Sequence, residues 1–110
     1  MMLYVASPIK AQGVAEWQNL SIAGVDNYNR GDYQTAAQNF RLALALAINF
    51  DEGGQRLINS YFNLALVYEA LDKSDEAVIL YLEAIRMQED FQGADDPALA
   101  VMLSKLAGLY

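Results

Sequence analysis

The sequence predicts an all-α protein, a right-handed array of two helix pairs plus one additional helix. Three observations predict it. Turn residues punctuate the chain at intervals that leave five helix-length blocks, each block has apolar residues at three- and four-residue steps, and one pattern of small and aromatic residues recurs about 41 residues later. The breaks fall at Gly13, Gly31-Asp32, Asp51-Glu52-Gly53-Gly54, Leu71-Asp72-Lys73-Ser74 and Gly93-Ala94-Asp95-Asp96-Pro97. They leave helices expected over residues 14–30, 33–50, 55–71, 75–91 and 97–110.

In the third block Tyr61, Leu64, Ala65, Tyr68 and Leu71 follow helical spacing, and in the fourth Ala77, Leu80, Tyr81, Ala84 and Ile85 do the same. Asp96 before Pro97 reads as an N-cap with proline at the first helical position. Ser74-Asp75-Glu76 offers a capping hydroxyl and two acids for the positive end of a helix. The run Leu42 to Ile48 alternates leucine with alanine and could pass for a buried strand, but both are strong helix formers and poor strand residues. It lacks a polar face, which asks for cover on more than one side from neighbouring helices, a partner or a second copy.

Composition removes most chemistry. The 110 residues contain no cysteine and no histidine, so disulfides, thiolate or imidazole metal ligands and the usual nucleophile pairs are excluded together. No enzyme activity, metal or cofactor is expected. The acid pairs Asp51-Glu52 and Asp95-Asp96 sit at turns and lack the alternating pattern of a calcium loop. A net charge of −7 opposes nucleic acid and anionic membranes, and no apolar run reaches the ~20 residues of a membrane span. Residues 1–12 form an N-terminal extension, read as a frayed terminus or as the remnant of a secretory signal that lacks its basic segment. The first reading places the chain in the cytoplasm and the second makes it an exported protein. Residues 13–110 form the single helical domain.

The repeat is the most informative feature. Ala36, Phe40 and Ala43 recur as Ala77, Tyr81 and Ala84, an offset of 41, and Leu64-Ala65 with Tyr68 recurs as Leu106-Ala107 with Tyr110, an offset of 42. Alanines seven apart lie on one stripe and let two helices approach closely, while the aromatic between them fills the space beside the seam. With Leu20, Ala23, Gly24 and Gly31-Asp32-Tyr33 in the first unit, this pattern resembles the tetratricopeptide repeat family. The long period, the Gly93-to-Pro97 linker and the element Asn63-Leu64-Ala65-Leu66-Val67-Tyr68 resemble the longer variant found in kinesin light chains. Repeats are placed at about 17–50, 58–91 and 97–110, the last one partial. Asn27 stands where a tyrosine is expected, and Asp72-Lys73-Ser74 replaces Gly-Asp-Tyr.

The resemblance implies a protein–protein scaffold or adaptor that binds a peptide or partner subunit on the concave side of its first helices. Carried over residue by residue, that face comprises Gln18, Ser21, Ile22, Val25 and Tyr28, then Asn59, Phe62, Asn63, Leu66 and Glu69, then Val101, Lys105 and Gly108. Only Asn63 and Lys105 match the five polar positions with which some members grip a terminal carboxylate. Leu99, Met102, Leu103 and Leu106 are expected to form an apolar open end, since no helix follows them. A fragment, a self-capping helix and docking onto another copy or subunit all fit that end, and the last gives the alternative of a purely structural subunit of a homo-oligomer. Tyr68, Tyr81, Met87 and Met102 fall on core steps.

Overall fold

The computed structural model describes residues 8–50 and 54–110, with side chains from residue 12 onward. Among these residues it contains five α-helices: α1 (Pro8–Asn29), α2 (Tyr33–Phe50), α3 (Gln55–Ala70), α4 (Ser74–Gln92) and α5 (Pro97–Ala107). Each packs on the next in chain order. The three-residue turns at 30–32 and 71–73 make α1–α2 and α3–α4 antiparallel hairpins, and α5 adds a fifth layer. Helices α2 and α4 begin 41 residues apart and α3 and α5 begin 42 apart, so the sequence period is the period of the structure.

The repeated signature forms the core. Ala36, Phe40 and Ala43 on α2 are buried, as are Ala77, Tyr81 and Ala84 on α4. Helices α1 and α2 approach closely at Gly24, where an added Cβ would lie 2.4 Å from the Phe40 ring. The aromatic thus occupies space that a side chain on α1 would need.

Both hairpin turns have one geometry. Gly31 adopts φ +80°, its N–H donates to the Tyr28 carbonyl (3.0 Å), and the Asp32 N–H donates to that of Asn27 (2.9 Å). This is a Schellman closure, which needs a left-handed residue just past the helix. Asp72 takes the same place at φ 59°, with Asp72 N–H on Glu69 (3.1 Å) and Lys73 N–H on Tyr68 (2.8 Å). The departure from glycine leaves the turn intact, because aspartate tolerates that region better than most residues. Asn27, the other departure, accepts a 2.7 Å hydrogen bond from Asn39 Nδ2 and ties α1 to α2.

Three boundary expectations change. α1 begins at Pro8 and runs through Gly13, which packs 3.4 Å (as a built Cβ) from the Phe50 ring. Proline suits a first helical position, and that packing contact accompanies glycine's helix cost. Ser74 is already helical and caps nothing; the positive end of α4 is served by Asp75 and Glu76. α5 ends at Ala107 rather than at Tyr110. At its start Asp96 accepts from the Ala98 N–H (3.0 Å) and Pro97 follows, as the sequence predicts. Residues 1–7 of the extension and the Asp51-Glu52-Gly53 turn lie outside the described residues.

A candidate peptide-binding face on the first helices

Helices α1, α3 and α5 share what we call the inner face, and their register is set by the repeat: Val25 on α1 and Leu66 on α3 are 41 residues apart, and Asn63 on α3 and Lys105 on α5 are 42 apart. Three hollows follow this face. One of about 370 Å³ lies along α1 between Trp17, Gln18, Ser21, Ile22 and Val25. A second, of about 140 Å³, crosses from α1 to α3 between Val25, Tyr28, Asn63 and Leu66, with buried Phe40 at its floor. The third, about 560 Å³, lies between α3 and α5 and is lined by Glu69, Ala100, Val101, Ser104, Lys105 and Gly108.

The hollows bring together eleven of the thirteen residues assigned to this face: Gln18, Ser21, Ile22, Val25 and Tyr28, then Asn63, Leu66 and Glu69, then Val101, Lys105 and Gly108. Asn59 and Phe62 line none of them. Asn59 is exposed and accepts from Gln55 Nε2 (2.9 Å), and Phe62 packs against the Tyr81 ring at 5.5 Å. Phe40, which the repeat pattern assigned to packing, lines the second hollow, and Trp17, which sequence reasoning missed, lines the first. The signal that could have found Trp17 is its position seven residues before Gly24, one turn N-terminal of Ser21 on the same helix.

The face changes character along its length. At α1 it is apolar, with Ile22 64% and Val25 45% exposed and Tyr28 resting 5.3 Å from the Tyr33 ring. Trp17 is fixed by its indole N–H, which donates to Ser60 Oγ (2.7 Å), while Ser60 donates to the Arg56 carbonyl (2.8 Å). At α3 and α5 it is polar. The Asn63 amide has no hydrogen-bond partner among the described residues and is free for a ligand. Glu69 accepts from Tyr81 Oη (3.2 Å), and burial, followed by the nearby Glu69 charge, pushes the Tyr81 hydroxyl above its ordinary range. Tyr81 therefore stays a neutral donor that holds the Glu69 carboxylate at the groove edge.

A second polar chain joins the helices. Gln55 Nε2 donates to Gln88 Oε1 (3.1 Å) and Gln88 Nε2 to Asp96 Oδ2 (2.5 Å), so buried Gln88 links α3, α4 and the cap of α5.

The open end is corrected by the packing. Leu99, Met102 and Leu106 are buried in the core with Ala84, Ile85 and Met87, because α5 turns this side to α4. Of the four residues expected there only Leu103 is exposed, at 49%. Among the described residues there is no cluster of three or more potential metal-binding side chains and no helix long and apolar enough to cross a membrane.

A stack of antiparallel helix pairs with one lined face, repeating at a fixed interval, is the architecture of a helical-repeat protein. A model of the tetratricopeptide repeat family matches residues 14–90. The chain belongs to that family. Comparisons with curated proteins and with solved structures give no match.

Proposed function

We propose that the chain is an adaptor that binds a peptide segment of a partner protein along α1, α3 and α5. The observation that carries this reading is the hollow in which Val25, Tyr28, Leu66 and the unpartnered Asn63 converge over Phe40. Apolar walls with one free amide are suited to gripping a side chain while fixing the register of its backbone. Family membership supports a role in protein–protein interaction, and the apolar-to-polar gradient gives the bound segment a direction, with its apolar residues at α1 and its polar groups near Glu69 and Lys105. The test is selection of binders from a displayed random-peptide library, followed by anisotropy titration. Leu66→Glu and Asn63→Ala should each weaken a selected peptide at least tenfold with the fold retained. Equal affinity in both variants would exclude this face.

One observation favours self-assembly as a second reading. Ile58 and Ala65 on α3 are buried in the core shared with Ala77, Tyr81 and Ala84 of α4, whereas their equivalents 42 residues later, Ala100 and Ala107, are exposed beside Leu103. That stripe of α5 would suit a second copy. Light scattering across a concentration series, with Leu103→Glu as the control, decides it: a constant monomer mass excludes the reading.

A further inference from the structure

The side of the molecule formed by α2 and α4 carries a feature that the inner face leaves unused. Leu42 and Ile48 on α2 and Ile79 and Leu82 on α4 are each about half exposed or more, although both helices are interior members of the array. A surface helix normally turns charged residues to water there. Helix α2 has one charged side chain in eighteen residues, Arg41, and its Nη1 is engaged by the Tyr68 hydroxyl at 3.2 Å.

Between the two helices lies a hollow of about 360 Å³. Its floor is Leu57, Tyr61 and Met87, and Ile48, 52% exposed, forms one wall. The opposite rim carries Glu83, Arg86 and Asp90, where Arg86 is paired with Glu83 and with Asp90 (3.4 Å). One guanidinium between two carboxylates leaves the rim net negative. Glu89 adds an exposed acid beside it, and α4 as a whole holds five acids against that single base. Ile79, one turn before Glu83, continues the apolar strip along the same helix.

We infer that this furrow is a second docking surface, for a basic amphipathic helix of a partner protein. The apolar floor would take the partner's leucine-type side chains at helical spacing, and the acidic rim would pair with lysines or arginines flanking them. Charge selects this occupant over another copy of the chain, whose net −7 opposes the same rim. The surface is separate from the α1, α3 and α5 face, so one adaptor would hold two partners.

The test uses a fluorescent 18-residue helical peptide of leucine and lysine, its counterpart with glutamate for lysine, and anisotropy titration against the whole chain. The expected result is binding of the lysine peptide only, weakened at least tenfold by Ile48→Glu and several-fold by Glu83→Gln with Asp90→Gln, with a shallower salt dependence in the latter. Because Ile48 is half exposed, Ile48→Glu should leave the melting temperature unchanged, which circular dichroism checks. Leu66→Glu on the inner face should leave this binding intact. Equal binding of both peptides, indifference to Ile48→Glu, or loss in Leu66→Glu alone would each overturn the inference; the last would move the peptide to the inner face, and the first two leave the inner-face selection untouched.

Discussion

Replacing Gly24 by alanine should destabilise the protein even though alanine is the better helix former. An added Cβ would stand 2.4, 2.6 and 2.8 Å from Cε1, Cδ1 and Cζ of Phe40, against ordinary contacts beginning near 3.4 Å. The ring must therefore retreat by about 1 Å, or α1 must lift from α2 by a similar distance. On its core side Phe40 is packed among Ala36, Ala37, Leu64 and Val67, so the ring could retreat only outward, into the hollow between Val25, Tyr28, Asn63 and Leu66. Overpacking of this kind costs about 1–3 kcal/mol, and so direct an overlap with a ring belongs at the upper end. Removing glycine from a helix interior returns about 1 kcal/mol. The net expectation is about 2 kcal/mol of destabilisation, or a melting temperature lower by roughly 10 °C in a domain of this size. Urea and thermal unfolding measure it, and a cycle with Phe40→Leu, alone and combined, isolates the contact. In the double variant the smaller side chain should recover part of the loss. Gly24→Ala as stable as the parent, or strictly additive with Phe40→Leu, would refute the close approach of α1 and α2.

Asp72→Gly should stabilise by about 0.5–1 kcal/mol in urea unfolding, because glycine occupies the left-handed region at φ 59° without the penalty of a Cβ. Ser60→Ala should cost about 1 kcal/mol, read from the fluorescence of Trp17, the single tryptophan, since the indole N–H loses its 2.7 Å acceptor. Tyr81 governs a pH dependence at the alkaline end. Its folded-state pKa is raised above the ordinary 10.0, so the stability it contributes is complete below pH 10 and falls above it, where the unfolded tyrosine ionises and the folded one keeps its proton. The slope should reach about 1.4 kcal/mol per pH unit, and Tyr81→Phe should remove that component from the stability profile above pH 10.

The fold was legible because the repeat writes its close contacts as small residues. Ala36, Ala43, Ala77 and Ala84 mark the seams, and each is buried where the pattern requires. Turn chemistry marked the helix ends equally well at Gly31 and at Asp96-Pro97. The beginning of α1 was not legible, because Gly13 signals a break by propensity, while its contact with Phe50, 37 residues away, is invisible to local reading. Asp72 poses the converse case, a turn without its usual glycine that closes through the same two backbone hydrogen bonds.

On the candidate site, eleven of the thirteen residues carried over from the resemblance line the three hollows, because register follows from the period. Depth along that face was not readable. Phe62 turns toward Tyr81, and Leu99, Met102 and Leu106 turn toward α4, since helical spacing places a residue on a side of its helix without saying which neighbour covers that side. The polar chain from Gln55 through Gln88 to Asp96 is a tertiary arrangement joining residues 33 and 8 positions apart, with no signal in spacing.

The most direct test of the account maps a library-selected peptide onto the isotopically labelled chain by amide chemical-shift perturbation. Shifts concentrated at Trp17–Tyr28, Asn63–Glu69 and Val101–Lys105 are the predicted result. Shifts confined to α2 and α4, or to the Leu103 stripe of α5, would contradict the assignment of the inner face as the peptide site.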